Sequence, residues 1–152
     1  MSMNGKGSIT LEAGVEQAWD VLLNPEVLAK CIMGCNKLEL VEEGKYKADL
    51  SVGIAAVKGS YSSTIELADL EKPKRYKLIV KGEGGPGHVE ATGVVDLSAV
   101  DANTTTLNYE YEAEVGGKVA MIGQRMLGGV AKLIINDFFK KFSKEVKQAV
   151  GS

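Results

Sequence analysis

The 152-residue sequence predicts an α+β fold in which an antiparallel sheet is covered by one long C-terminal helix. Apolar and polar residues alternate over most of 36–115, which is the period of strands with one buried face. Apolar residues then recur at helical spacing over 118–150. Two short helical segments precede the sheet region. No shift in composition divides the chain, so we expect residues 1–152 to form a single domain.

The N-terminal part predicts a short strand followed by two short helices. Apolar and polar residues alternate over 8–11, which indicates the strand. The first helix opens after Gly14, and its buried face is expected to consist of Val15, Ala18, Trp19 and Leu22. A second helix is expected to begin at Pro25, with Asn24 as its N-cap, and to end at Gly34.

The sheet region divides into hairpins at turns rich in glycine, proline and asparagine, at 72–73, 82–87 and 101–103. The glycines of the second turn match the spacing of a dinucleotide-binding loop, but a strand pattern follows where that motif needs a helix. We therefore interpret this segment as a hairpin turn. With the first strand, these hairpins predict a sheet of about seven strands with one wet face.

Five tyrosines occupy positions expected to face the sheet interior, namely Tyr46, Tyr61, Tyr76, Tyr109 and Tyr111. A buried phenol needs a hydrogen-bond partner, and the neighbouring inward positions are mostly aliphatic. Two interpretations stay open. The hydroxyls reach water at the sheet rim, or they line an internal pocket and meet a ligand.

Two apolar stripes run along the predicted C-terminal helix. One continues along the whole element, as a core-facing stripe should, and consists of Ala120, Leu127, Ala131, Ile134, Phe138 and Phe142. The other occupies only the first half and consists of Val119, Ile122, Met126, Val130 and Leu133. This second stripe needs a partner, which is the protein interior, another protein or a lipid surface.

The first half of this helix carries two further unusual features. Gly123 and the adjacent pair 128–129 each cost a helix about 1 kcal/mol relative to Ala, so this half is expected to kink, to pack close to another backbone, or to move. Lys118, Arg125 and Lys132 recur at seven-residue spacing beside the apolar stripes. That pattern is typical both of helices lying on a membrane surface and of ordinary solvated edges.

Composition excludes several classes of function. A net charge of −2 provides no general basic surface for nucleic acid. The N-terminal residues have no apolar signal region, so we expect a cytoplasmic protein.

Cys31 and Cys35 are interpreted as small buried thiols, and no metal site is expected. His88 is the only histidine and has no nucleophile motif beside it, and no pair of carboxylates suits acid–base catalysis.

Several segments resemble the CoxG family, named for a carbon monoxide dehydrogenase subunit, within the START-like, or SRPBCC, superfamily. The most specific of them are Trp19 with the Asn-Pro-Glu-Val-Leu of 24–28, the Cys-Ile-Met-Gly-Cys of 31–35, and the Val-Gly-Gly-Lys-Val-Ala of 115–120, continued by 123–125 and 138–139. The resemblance covers nearly the whole chain. It departs at Met33, where the family usually has Pro, and at Asn24, where it usually has Asp.

The resemblance implies a helix-grip fold, in which a curved antiparallel sheet of about seven strands wraps around the C-terminal helix and encloses a hydrophobic cavity. It also implies a non-enzymatic accessory protein that binds a quinone or another lipid. Such a protein links a molybdenum carbon monoxide dehydrogenase, or a related oxidoreductase, to the membrane and its quinone pool. No cofactor is expected other than the bound quinone or lipid, and the expected cytoplasmic location allows peripheral contact with the inner membrane face.

Candidate site residues follow from combining the resemblance with the two stripes. The expected ligand-binding residues are Trp19, Leu28, Tyr46, Leu50, Tyr61, Leu78, Tyr109, Tyr111, Ile122, Met126 and Val130. The expected gate and docking residues are Lys118, Val119, Gly123, Arg125, Gly128, Gly129 and Leu133. Two alternatives remain. One is an enzyme of the polyketide cyclase or hydrolase kind, in which tyrosines polarise a carbonyl, and the other is a docking module with a solid interior.

Overall fold

A computed structural model of the protein describes residues 1–151 and places a seven-stranded antiparallel sheet beneath three α-helices. The strands are β1 (Ser2–Leu11), β2 (Cys35–Glu42), β3 (Lys45–Val52), β4 (Gly59–Glu71), β5 (Arg75–Gly84), β6 (Gly87–Asp101) and β7 (Thr104–Gly116). The helices are α1 (Val15–Leu22), α2 (Pro25–Cys31) and α3 (Gln124–Gly151). Two short 3₁₀ helices, Ala55–Val57 and Lys118–Ile122, are also present. The predicted α+β class and strand number are confirmed.

The sheet order is β1-β7-β6-β5-β4-β3-β2, so the first strand closes one edge beside the last. All pairs are antiparallel. The hairpin interpretation of the glycine-rich segment is confirmed, because Gly84 pairs with Gly87 and only two residues form the turn. Alternation along each strand leaves one polar outer face and one apolar face, as a half-covered antiparallel sheet requires.

The two short helices form where their caps predict. Asn24 accepts a hydrogen bond at Oδ1 from the backbone N–H of Glu26, at 3.0 Å, and Pro25 occupies the first helical position. In α1 the residues Ala18, Trp19, Val21 and Leu22 are buried. Buried Thr105 donates its hydroxyl to the carbonyl of Ala13, at 2.8 Å, and so fixes the start of α1 to the beginning of β7.

The C-terminal helix begins later than predicted, which corrects the expected range of 118–150. Lys118–Ile122 is a separate 3₁₀ turn, and α3 starts only at Gln124. Gly117 and Gly123 bound that turn with φ of +82° and +93°, a region that a right-handed helix cannot use and that favours glycine. The second stripe is therefore split, since Val119 and Ile122 lie in the 3₁₀ turn and the other members lie on α3.

Candidate functional site

The apolar residues between the sheet and the helices form two separate clusters. The first, which we call the main core, joins α1, α2 and the second half of α3 to one end of the strands, and includes Leu11, Trp19, Leu22, Cys31, Tyr76, Leu97, Leu107, Phe142 and Val146. The second, which we call the end cluster, lies at the other end of the sheet and is built on Val57, Val115, Val119 and Leu127. Each buries side chains from several distant segments, so both ends of the interior are closed.

Between these clusters lie apolar residues that are only half-buried, and we call the region that they line the gap. Along β7, Leu107 is buried at one end and Val115 at the other, whereas the inward-facing Tyr109, Tyr111 and Ala113 between them are only half-buried. The core-facing stripe of α3 repeats this pattern. Leu127 and Phe142 are buried, and Ala131, Ile134 and Phe138 between them are half-buried. Both elements thus have half-buried apolar side chains between buried ends.

Small residues form the floor of the gap on the neighbouring strands β6 and β7. Ala91 and Ala113 face each other across β6 and β7, and Gly93 pairs with Tyr111. Neighbouring strands contribute Ile65 and Val80, which pair across β4 and β5. All of these residues are half-buried and belong to neither cluster. Small side chains on the sheet occupy less volume than larger ones would at the same positions.

The tyrosines near the gap are held in place by specific contacts. Tyr46 donates its hydroxyl to the carbonyl of Leu23, at 3.3 Å, and Tyr61 donates to the carbonyl of Val57, at 2.5 Å. Both therefore have protein partners, which neither predicted alternative had included. Burial raises the pKa of Tyr46, of Tyr61 and of Tyr111, so these phenols stay neutral near pH 7.

Two tyrosine rings lie across glycines of the edge strand β1. A Cβ added at Gly5 would stand 2.6 Å from the Tyr111 ring, and one added at Gly7 would overlap the Tyr109 hydroxyl. Tyr109 also stacks on Phe139 of α3, with ring centroids 5.0 Å apart. The glycines are thus required by the rings, which cover the edge of the sheet beneath α3.

The predicted ligand-binding residues divide into five groups. Leu28, Leu50, Tyr61 and Tyr111 are half-buried and belong to neither cluster. Leu78 and Tyr109 pack against the main core and border the gap, while Ile122 and Val130 pack against the end cluster. Trp19 and Tyr46 are buried. Met126 is 54% exposed. The structure therefore brings only part of this set to the gap, and Met126 points outward.

The predicted gate and docking residues lie at the end-cluster side of the molecule. Val119 is buried in that cluster, whereas Lys118, Arg125 and Leu133 are exposed. Gly123 separates the 3₁₀ turn from α3. A Cβ added at Gly128 or Gly129 would meet no atom within 4 Å, so neither glycine packs closely against another segment of this chain, and of the three expected roles a kink or motion is left open. Both lie within the continuous helix α3.

The small residues that form the floor are absent from the sequence-based prediction. Ala91, Gly93 and Ala113 have little apolar area, whereas all the predicted lining residues have larger side chains. Their signal is nevertheless present in the sequence, since three small residues occur at inward positions of adjacent strands. Small side chains next to one another on adjacent strands leave volume that larger ones would fill.

The remaining chemically active residues are dispersed. His88 is exposed, and among residues 1–151 neither it nor Arg125 forms a hydrogen bond with a tyrosine. Burial and the nearby Glu145 carboxylate raise the pKa of the Cys31 thiol to about 11.

No group of three metal-ligating side chains occurs in the described part of the chain. Across the same residues, no helix is both long and apolar enough to cross a bilayer.

Comparison with known proteins agrees with this architecture. A crystal structure of a conserved protein from Geobacillus kaustophilus is 60% identical, with a TM-score of 0.94 and 97% of each chain covered. A START superfamily protein from Mycobacterium smegmatis has a TM-score of 0.75 at 10% identity, covering 95% of this chain and 97% of that one. An aromatase/cyclase from a Streptomyces species has a TM-score of 0.73 at 18% identity, covering 99% and 96%. No curated protein matches the chain.

A seven-stranded antiparallel sheet closed by a long C-terminal helix is a helix-grip fold, and the START superfamily protein from Mycobacterium smegmatis shares it. The model of the CoxG family, which takes its name from a carbon monoxide dehydrogenase subunit, matches residues 7–147. The chain belongs to that family, and the resemblance noted in the sequence is confirmed.

Proposed function

We propose that this protein is a non-enzymatic accessory protein that holds a quinone or a similar lipid in the gap between the sheet and α3. The observation that carries the proposal is the half-buried middle of both β7 and α3, between ends that are closed. The side chains at the gap are apolar apart from tyrosine hydroxyls, and those of Tyr46 and Tyr61 donate to backbone carbonyls. This combination suits a hydrophobic molecule with a few oxygen atoms.

The energetics of the gap support a ligand. Apolar surface in contact with water costs about 25 cal/mol per Å² relative to burial. A ligand that covers the half-buried side chains of β6, β7 and α3 would recover that free energy. Because the ligand binds the folded state alone, it also raises the stability of the protein by mass action. The ligand is therefore expected to increase the melting temperature in proportion to the logarithm of its concentration.

The proposed physiological role follows from family membership. We propose that the protein connects a molybdenum carbon monoxide dehydrogenase-type oxidoreductase with the quinone of the membrane, at the inner membrane face. The oxidoreductase would be reconstituted with quinone-containing vesicles. Adding this protein is expected to increase the rate of quinone reduction, and an unchanged rate over a wide range of protein concentration contradicts the role.

Two neighbouring residues of β6 provide a matched test of ligand binding. Ala91 faces the gap and Thr92 faces outward, so Ala91→Phe fills the gap whereas Thr92→Phe adds the same ring on the outer face. A short-chain quinone would be titrated while the fluorescence of the tyrosines and of Trp19, the one tryptophan of the chain, is followed. We expect the wild type and Thr92→Phe to bind alike, and Ala91→Phe to lose affinity by tenfold or more, roughly 1.4 kcal/mol.

Thermal unfolding of the two variants completes the test. If the gap is open, Ala91→Phe unfolds close to the wild-type temperature, because the ring enters existing space. A filled interior would instead make it lose about 1 to 3 kcal/mol from overpacking. If Ala91→Phe and Thr92→Phe bind quinone with equal affinity, the gap is not the quinone-binding site. Turnover of a polyketide-like substrate would favour the enzymatic alternative, and oxidoreductase binding that survives Ala91→Phe but fails for Met126→Asp would favour the docking module.

A further inference from the structure

We propose that this protein forms a symmetric dimer through its edge strand β2, which pairs antiparallel with β2 of a second copy. The two-fold axis of this dimer passes beside Leu38. β2 is the last strand of the sheet, and within residues 1–151 no other strand pairs with its outer side. An edge strand leaves half of its backbone N–H and C=O groups free to pair with another strand. The inference does not rest on the function proposed above.

The two edges of the sheet differ in how they are covered. At the other edge, α3 packs against β1, and the Gln124 side-chain amide donates to the carbonyl of Ser2, at 2.7 Å. β2 contacts α2, yet most of residues 36–42 are exposed, including Leu40 at 56% and Val41 at 54%. Proline is one of the residues that protect sheet edges, and β2 contains none. The β2 edge is therefore the one available to a second copy.

The charges on the outer face of β2 follow a pattern that the sheet already uses. Lys37 lies opposite Asp49, and Glu39 lies opposite Lys47, across the β2–β3 pair. The Lys37 Nζ also lies 2.7 Å from Glu39 Oε1 on the same strand. An isolated lysine on an edge strand repels the same lysine of a second copy. Here a carboxylate two residues away balances that charge, so the edge can accept a copy of itself.

Charge complementarity selects one register for two paired β2 strands. A two-fold axis perpendicular to the sheet keeps the apolar faces of both copies on the same side, so opposing residues must share a face. With the axis at Leu38, Lys37 of each copy lies opposite Glu39 of the other, and two attractive pairs form. An axis at Lys37 or at Glu39 would instead place two like charges opposite each other. The Leu38 axis also brings exposed Leu40 diagonally next to Leu38 of the second copy.

Sedimentation velocity of the intact protein over a wide range of concentration tests the proposal. A strand edge offers fewer residues than the roughly 20 to 30 per partner of a standard interface, so we expect a weak dimer whose fraction rises with concentration. Lys37→Glu and Glu39→Lys should each raise the dissociation constant by about tenfold or more, because two attractive pairs become two like-charge pairs. The control is Lys77→Glu, on the outer face of β5, which should associate as the wild type does.

Mixing the two edge variants tests the register and separates it from a loss of folding. In a mixed dimer, both cross-strand pairs join a glutamate of the Lys37→Glu chain to a lysine of the Glu39→Lys chain. An equimolar mixture should therefore regain the association that each variant lacks alone. A mixture of Lys77→Glu with Glu39→Lys has the same net charges and should leave the Glu39→Lys chain largely monomeric.

Oxidative cross-linking in a Cys35→Ser background locates the axis. Leu38 opposes its own copy, with Cα atoms about 4.5 to 5.5 Å apart, so Leu38→Cys should form a covalent dimer. Leu40→Cys is the control, because its two copies lie roughly 14 Å apart in this register, beyond the reach of a disulfide.

Four results would overturn the proposal. They are a protein that stays monomeric at every concentration, a mixture of the edge variants that does not regain association, cross-linking of Leu40→Cys as readily as of Leu38→Cys, and association that continues beyond the dimer. The last result would indicate pairing of β2 with a different edge, since symmetric pairing of one edge closes at two copies.

Discussion

Replacing Gly128 and Gly129 by alanine tests whether the first half of α3 is kept weak for a functional reason. Both glycines lie inside the helix, are exposed, and have no atom within 4 Å of an added Cβ. Neither has the positive φ that would strain alanine. The substitutions therefore change helix propensity and the entropy of the unfolded chain, and leave tertiary contacts untouched.

The expected stabilisation is the propensity difference, about 1 kcal/mol for each site. Adjacent positions of a helix do not face each other, so the two effects should add to about 2 kcal/mol. For a domain of this size, 1 kcal/mol shifts the melting temperature by about 2 to 4 °C. The double variant should thus melt about 4 to 8 °C above the wild type.

Calorimetry and quinone exchange should be measured on the same proteins. The control is Gly34→Ala, because Gly34 has φ of +72° and an added Cβ would overlap the Ser51 carbonyl oxygen. That variant is expected to lose stability. If motion of α3 admits the ligand, the double variant exchanges quinone more slowly at similar affinity. A double variant with an unchanged or lower melting temperature would show that these glycines make contacts absent from the structure and would refute the reasoning.

Three further predictions concern stability. Phe142→Ala should lower the free energy of unfolding by about 3 to 5 kcal/mol, since the ring is fully buried. Leu133→Ala, at a position that is 52% exposed, should change it by less than about 0.5 kcal/mol. Urea denaturation of both variants and the wild type checks this difference. Asn24→Ala should cost about 1 kcal/mol through loss of the cap to α2, and Asn24→Asp should restore it. Folding raises the pKa of the Cys31 thiol from 9.0 to about 11. Between these two values the folded protein keeps a proton that the unfolded chain releases. The free energy of unfolding should therefore fall as the pH rises from 9 towards 11. In Cys31→Ala the free energy of unfolding should depend less on pH over this range. Melting temperatures that change with pH identically in the variant and the wild type would contradict the raised pKa of Cys31.

Much of the fold could be predicted from the sequence because local signals agree with tertiary structure. The Asn24–Pro25 pair predicts the start of α2 because capping and a fixed proline φ act within a few residues. Alternation and turn residues predict the hairpins for the same reason. The predicted start of α3 was wrong, because hydrophobic periodicity continues through Gly123 and does not report a backbone φ of +93°.

The candidate site was harder to predict than the fold. Tyr61 and Tyr111 are predicted to face the interior, but the sequence does not predict what they contact. Tyr61 donates to the Val57 carbonyl, which depends on the path of a short turn. The Tyr111 ring lies across Gly5, which is far away in the chain. The floor of the gap escaped prediction because Ala91 carries little apolar area, and what matters there is absent volume. Volume between a sheet and a helix depends on their separation, and no local pattern encodes it.

The central claim is that an accessible apolar gap between the main core and the end cluster accommodates a hydrophobic ligand. Crystals of the wild-type protein grown with a short-chain quinone test it most directly. We expect electron density for the quinone between the small residues of β6 and β7 and the Ile134 side of α3. The claim is contradicted if Ala113 and Ile134 lie in van der Waals contact with no space between them and the quinone is bound nowhere in the interior.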